Sequence, residues 1–429
     1  MKMGSNNFKW NPYADQPHNV ASKSDRFKAH FSYTGSYLRM LAANLQKLIP
    51  VLLRYRALRN TLYEKCVSIG DPFGVSVSLL KAKEDDILKA LTEIGVSHTL
   101  IRVPSWEKNR LPEYGEFVDR LKNGGMDVVI ALVQNRQDLL DKRKWIDFLN
   151  CVFSRFSDKS LFFEIGHAWN RTKWGLWDYR EYLELAGPAF SAARTYGVNL
   201  LGPAVIDFEF HLYPPVLKTV HFDKVTSLLY VDRVGAPENT QFGWDLSKKI
   251  TLLKAVIDQC SRKGKELWIT EFNWPLRGMG KYSPASGKPN VSEEQQANFL
   301  VRYYILALFT GMVKRIYWWQ LAAPGYGLID NRKGQWRKRP SFLAYKTLAE
   351  QLKDSEFVRK EKNADAEIFL FRKRKNMFAV CWTKAGCLRH SFTDPILKVL
   401  DRDGKMIDLS GSSIVLTEKP VYICFESLK

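Results

Sequence analysis

Apolar residues gather in short runs from residue 73 onward, and the stretches between the runs carry helical periodicity. Eight runs read as strands: "FGVSVSLL" (73–80), "HTLIRVP" (98–104), "MDVVIALV" (126–133), "SLFFEIG" (160–166), "NLLGPAVI" (199–206), "VTSLLYV" (225–231), "ELWITEF" (266–272) and "RIYWWQL" (315–321). Segments such as "KEDDILKALTEIG" and "EYGEFVDRLKNGG" lie between them and end in Gly, as helix C-termini commonly do. Strand–helix alternation predicts parallel pairing through right-handed crossovers. Eight units within about 270 residues match the size of a (β/α)8 barrel. A doubly wound open sheet competes, but no GxGxxG follows the first run. The predicted fold is α/β, a (β/α)8 TIM barrel over residues 73–355.

The pattern differs on both flanks. Residues 1–35 are polar with scattered aromatics and read as irregular. From 36 to 65, Leu38, Leu41, Leu45, Leu48, Leu52 and Tyr55 recur at helical spacing, and Pro50 is expected to kink or divide that helix. No Asp or Glu occurs from Arg26 through Tyr63. A basic amphipathic helix of this kind lies on an anionic membrane or closes the bottom of the main domain; the apolar stripe fits both. Beyond 355, "EIFLFRKRKNMFAVCWTKAG" and "VYICFESL" read as short strands, and "LKVLDRDGKMIDL" carries a DG hairpin signal. Three regions are expected: 1–72, an irregular segment with the basic helix; 73–355, the barrel; and 356–429, a small antiparallel β domain.

Charge changes the choice of partner. The 429 residues carry a formal charge of +20, which points to an anionic partner such as an acidic glycan, a lipid surface or nucleic acid. Six scattered cysteines form no CxxC pair, so neither a zinc site nor a disulfide framework is indicated. No signal-peptide core and no run of 18 apolar residues is evident, so a cytoplasmic protein is expected.

In a barrel of this type the site forms at the C-terminal ends of the strands. Those ends carry Arg102, Trp106 and Glu107; Gln134; Glu164, His167 and Asn170; Asp207, Glu209 and His211; Tyr230 and Asp232; Glu271 and Asn273; and Trp318 and Trp319. Carboxylates, hydrogen-bond donors and indoles together suit a saccharide, whose apolar ring faces stack on Trp. Nucleic acid also stacks on Trp, but these aromatics converge on strand ends and not on a sheet face, so nucleic acid is not favoured.

The same strand ends resemble clan A glycoside hydrolases, particularly glycoside hydrolase family 39 and its relatives. "LWITEFNW" (267–274) is similar to the clan's nucleophile strand, which implies Glu271 as nucleophile. "RIYWWQL" resembles the eighth strand, implying a Trp floor under the sugar. "LIRVP" resembles the second strand, implying Arg102 beside the nucleophile, and Tyr230 falls where a tyrosine often hydrogen-bonds it. The fourth strand departs from the family's W-E-I-W-N-E-P-N. Laid over "FEIGHAWN" (163–170), the pattern puts Ala168 at the acid/base position and His167 at the preceding Asn. Glu164 matches only the first, deeper Glu.

The resemblance implies a retaining O-glycosidase acting on a polysaccharide, an oligosaccharide or a glycolipid-linked glycan. Catalytic candidates are Glu271 and Glu164. Substrate-binding candidates are Arg102, His167, Asn170, Asp207, Tyr230, Trp318 and Trp319. No metal or organic cofactor is expected. Several residues keep two readings: Glu271 as nucleophile or as a structural acid paired with Arg102; His167 as proton donor or hydroxyl ligand; Asn170 as sugar ligand or loop cap; Asp207 and Glu209 as a displaced acid. The loop "GMGKYSPASGKPN" (278–290) reads as a lid or a plain surface loop. Loss of one catalytic carboxylate makes the competing reading a carbohydrate-binding pseudo-glycosidase in surface polysaccharide assembly. The partner expected is a carbohydrate substrate, acidic or lipid-linked, with an anionic membrane surface met through residues 36–65 at the inner face.

Overall fold

A computed structural model describes residues 9–17, 24, 31–159, 161–231, 234–283, 290–408 and 413–426. The eight apolar runs form strands Phe73–Val77, His98–Pro104, Asp127–Val133, Phe162–Ile165, Asn199–Ile206, Lys224–Leu228, Leu267–Phe272 and Val313–Trp318. They pair in parallel in chain order, and the eighth returns to the first through Ile316↔Phe73 and Trp318↔Val75. The sheet is thus a closed barrel, not a doubly wound open sheet. Its strands are buried on both faces, which is why they read as near-continuous apolar runs rather than alternating ones.

Inside the barrel, Leu100, Val129, Ala131, Leu201, Trp268 and Tyr317 form a packed plug beneath the mouth. Gly74 makes the last seam possible, because a Cβ there would lie 2.6 Å from the Tyr317 ring. Glycines close helices Glu84–Ile94 and Tyr179–Tyr196, with Gly95 and Gly197 in the left-handed conformation.

Past the barrel lies a seven-stranded antiparallel sheet. Its strands run in the order Met406–Ile407, Ile396–Asp401, Val421–Phe425, Asn376–Thr383, Ala366–Lys373, Glu356–Glu361 and Val67–Ser68. The expected DG hairpin is its outer edge, pairing Val399 with Ile407. The opposite edge comes from the segment preceding the barrel. The sheet joins the barrel through Phe309, which packs on Phe357 and Phe369, and through buried Arg302. The Arg302 Nε donates to Glu238 at 2.9 Å, and that carboxylate also accepts from Trp382 Nε1 at 2.7 Å.

The basic helix runs unbroken from Thr34 to Asn60, with Pro50 inside it. It does not divide there, and it does not close the barrel's bottom; it packs against outer-ring helices Tyr213–Thr219 and Leu246–Cys260. Only Ser36 and Val51 of this helix are buried. The apolar stripe faces outward: Leu38, Leu41, Leu45, Leu48, Ile49, Leu52 and Leu53 are 47–69% exposed. No helix among the described residues is long and apolar enough to cross a membrane.

Residues 10–17, expected to be irregular, form a small hairpin pairing Trp10 with Pro17 and Asn11 with Gln16. Two-residue strands show no alternation, so periodicity does not reveal them. This hairpin, hereafter the strap, lies across the barrel mouth.

Candidate active site

The barrel brings Arg102 (second strand), Glu271 (seventh strand) and Tyr230 (just past the sixth) to one point. Glu271 is 6% exposed, and its Oε1 accepts from the Tyr230 hydroxyl at 2.6 Å. Its Oε2 accepts from Arg102 Nη2 in a close ion pair. A polar group so deep in protein needs such partners, and here both carboxylate oxygens have one. The Arg102 guanidinium also lies over the Trp319 ring, 3.3 Å from its centroid, and 5.6 Å from that of Trp174. Stacking and ion pairing together leave the guanidinium little freedom. Asn273, two residues beyond Glu271, donates to the Trp319 carbonyl at 2.8 Å and ties the seventh strand to the eighth.

His167 follows the fourth strand. Gln134, at the end of the third strand, accepts from its backbone N–H and donates to its carbonyl, so this loop is locked from the neighbouring strand. The imidazole packs edge-on against Trp174. Its Nε2 lies 2.9 Å from Arg102 Nη2 and 3.5 Å from Glu271 Oε2. A guanidinium only donates, so the Nε2 lone pair accepts and the ring proton is assigned to Nδ1. Burial and then the Arg102 charge push the imidazole pKa well below its ordinary value. His167 therefore has no proton at Nε2 to deliver to a substrate.

Several expected site residues lie elsewhere. Glu164 is 1% exposed within the barrel, where it accepts from Thr270 Oγ1 at 2.6 Å, and burial lifts its carboxyl to about 7. It does not line the mouth cavity. Asn170 braces two loops: its Oδ1 accepts from the Ile206 N–H, and its Nδ2 donates to the Ile206 carbonyl and to Glu209. Asp207 and Glu209 both accept from Arg171, at 2.6 and 2.5 Å. These carboxylates are consumed in joining the fourth-strand loop to the fifth. Trp318 is fully buried in the barrel wall against Phe272 and Trp274, while its neighbour Trp319 reaches the cavity. Adjacent residues of a strand point to opposite faces, so only one of the two indoles can serve as a platform. Glu107 is held by the Tyr114 hydroxyl and Arg110. Ala168 is fully buried beside Trp174 and Ala204, so an apolar methyl stands where the family pattern has its acid. Asp232 and residues 284–289 of the candidate lid lie outside the described residues.

The strap lines the same cavity, and its aperiodic sequence carries no signal of this. Ala14, Asp15 and Gln16 line one cavity together with Arg102, His167, Trp174, Tyr230, Glu271 and Trp319. Trp10 packs against Trp106 and Trp174, at 5.2 and 6.1 Å between ring centroids. Lys173 donates to Gln16 at 2.5 Å, and Lys281 sits 3.9 Å over the Tyr13 ring. Asp15 accepts from Arg102 through its backbone carbonyl at 3.3 Å, and its carboxylate is 3.5 Å from the same guanidinium. The cavity holds about 40 Å³, room for a few waters but not for a sugar ring. A second cavity of about 210 Å³ adjoins it, sharing Asp15, Arg102 and Tyr326. No cluster of three or more His, Cys, Asp or Glu suited to a metal ion occurs among the described residues.

No family model and no curated protein matches this chain. Solved structures do. A family 39 glycoside hydrolase from Bacteroides cellulosilyticus WH2 superposes with a TM-score of 0.65 over 83% of this chain and 81% of its own, at 14% identity. A family 30 endoxylanase from Clostridium papyrosolvens C71 gives 0.58 over 84% and 97%, at 11% identity. A family 51 arabinofuranosidase from Xanthomonas axonopodis pv. citri gives 0.58 over 84% and 97%, at 12% identity. The chain has the fold of the clan A glycoside hydrolases: a closed (β/α)8 barrel with a C-terminal β domain.

Proposed function

We propose that the protein is a glycoside hydrolase that cleaves O-glycosidic bonds of a polysaccharide, an oligosaccharide or a glycolipid-linked glycan, with Glu271 as nucleophile. One observation carries the reading: a carboxyl group at a barrel mouth, oriented by Tyr230 and Arg102 and bordered by the Trp319 indole. Glu271 attacks the anomeric carbon, and the C1–O bond to the leaving group breaks as an ester to Glu271 forms. The Arg102 charge and the Tyr230 hydroxyl hold one carboxylate geometry, which favours a near-attack arrangement over a mobile side chain. Water then hydrolyses the ester with net retention.

The test uses aryl β-glycosides of several common sugars. Turnover that disappears in Glu271→Gln supports the reading. The buried methyl of Ala168 favours a second one, a carbohydrate-binding protein with no turnover. It predicts calorimetric binding of an oligosaccharide with no release of aryl alcohol from any glycoside.

We also propose that the helix Thr34–Asn60 rests on an anionic lipid surface. Its outward leucines lie on a helix bearing exposed Arg39 and Arg56, and no acid interrupts the segment from Arg26 through Tyr63. Apolar insertion with cationic flanks matches the physics of interfacial helices. Six unpaired cysteines fit a reducing compartment, hence the cytoplasmic face. Flotation with phosphatidylglycerol vesicles, absent with phosphatidylcholine and lost in a Leu41→Ser/Leu45→Ser/Leu48→Ser variant, is expected. Concentration-dependent dimerisation without flotation would instead make a second copy of the chain the occupant of this face.

A further inference from the structure

We propose that Asp15, carried on the strap Trp10–Pro17, is the proton donor to the leaving group, the role that Ala168 cannot fill. The inference rests on the reading of Glu271 as nucleophile. It starts from an inventory of the mouth. Glu164 lies below it, Asp207 and Glu209 are bound to Arg171, and His167 accepts at Nε2. Asp15 is the remaining carboxyl that lines the Glu271 cavity among the described residues.

Its geometry suits the task. The Arg102 guanidinium contacts Glu271 through Nη2 and the Asp15 carboxylate through Nη1. One planar fork bridging both carboxylates keeps them within roughly 8 Å of each other, inside the roughly 5–9.5 Å over which glycosidases set their carboxyl pairs. The Asp15 side chain is 27% exposed and lines both adjoining cavities. Burial raises its pKa, Arg102 opposes that rise, and the nearby charges of Glu271 and Glu107 add to it. A carboxyl whose affinity for its proton is raised, beside a carboxylate paired with a guanidinium, matches the division of labour between acid and nucleophile.

The strap has to yield for a sugar to enter, and its contacts permit this. Ala14 and Asp15 touch Arg102, Gln320 and Tyr326 only at 3.3–3.5 Å, long for hydrogen bonds. The firmer anchors are Trp10 on Trp106, Tyr13 on Tyr282 and the 2.5 Å hydrogen bond from Lys173 to Gln16, none of which uses the Asp15 carboxyl. A ring entering the mouth displaces Asp15 outward while these anchors keep the strap at the mouth. In the first step the Asp15 proton passes to the leaving oxygen as the C1–O bond breaks and the Glu271 ester forms. In the second, the Asp15 carboxylate takes a proton from water as the water oxygen bonds C1 and the ester opens, which regenerates both groups.

The experiment compares kcat/KM of wild type, Asp15→Asn, Asp15→Glu and Glu271→Gln on phenyl and 2,4-dinitrophenyl β-glycosides of the sugar turned over fastest. A phenolate leaves poorly and needs the proton, whereas dinitrophenolate does not. Asp15→Asn is expected to lose about 10²- to 10⁴-fold on the phenyl glycoside, less than about 10-fold on the dinitrophenyl one, and the alkaline limb of the pH profile. Asp15→Glu is expected to recover part of the phenyl activity. Equal losses on both substrates make Asp15 structural and overturn the proposal. Equal gains overturn it too and identify the strap as a plug. In either case Glu271→Gln remains inactive and the glycosidase reading stands. Wild type inert on every glycoside, or Glu271→Gln fully active, removes that reading and the Asp15 role with it.

Discussion

The Arg102 guanidinium carbon lies over the Trp319 indole, 3.3 Å from its ring centroid, and the guanidinium donates to Glu271. The indole restrains the donor, and the donor restrains the carboxylate. With Glu271 as the proposed nucleophile, the relationship predicts that Arg102→Lys will not conserve activity, since a lysine keeps the charge but loses the planar fork. A fall in kcat/KM of about 10²-fold or more on aryl glycosides is expected, with folding retained. Near-wild-type rates for Arg102→Lys would mean that orientation at Glu271 does not limit the reaction.

Glu164 makes stability depend on pH in a direction opposite to that of an ion-paired acid. Its carboxyl titrates near 4.5 in the unfolded chain and is lifted to about 7 by burial in the fold. Between those values the native state binds more protons, so stability falls as pH rises and levels off above about 7. The loss is on the order of 3 kcal/mol for this one group. Asp138, raised to about 6, acts in an overlapping window, so the comparison has to be made between variants. Urea unfolding at pH 5 and pH 8 should show a smaller decline for Glu164→Gln than for wild type. An unchanged decline would place the Glu164 titration outside this window.

Gly175 holds the loop that presents Trp174 to His167. Its φ is +94°, and an added Cβ would lie 2.5 Å from the Arg136 backbone nitrogen. Gly175→Ala therefore meets both strain and a backbone clash, with an expected loss of about 2–4 kcal/mol. Thermal unfolding measures it. A melting point within a degree of wild type would show that the loop relaxes freely.

Arg302 is buried where barrel and C-terminal sheet meet, paired with Glu238, which also accepts from Trp382. Arg302→Met strands that acid without its cation and should cost about 3–5 kcal/mol. The double variant Arg302→Met/Glu238→Gln should recover much of the loss, because the orphaned charge is gone. A double variant as unstable as the single one would assign the cost to packing instead of charge.

Much of the barrel was legible in linear order. Runs such as "MDVVIALV" and "ELWITEF" are buried on both faces of a parallel sheet, so their apolar continuity survives in the sequence. The cluster of Arg102, Tyr230 and Glu271 could be anticipated because strand ends converge wherever such a barrel closes. The helix 34–60 was legible as a helix, but the direction of its leucines was not, since a stripe looks alike whether it faces protein or solvent.

The sequence by itself determined a (β/α)8 barrel with an acid at the tip of its seventh strand, because short-range periodicity encodes strands, helices and their order. Only the tertiary structure decided which acids share that mouth. Glu164 sinks, Asp207 and Glu209 turn to Arg171, and Asp15 arrives on an aperiodic hairpin. The physical reason is that a side chain's company depends on contacts between residues far apart in the chain, and Asp15 meets Glu271 through one guanidinium across more than half its length.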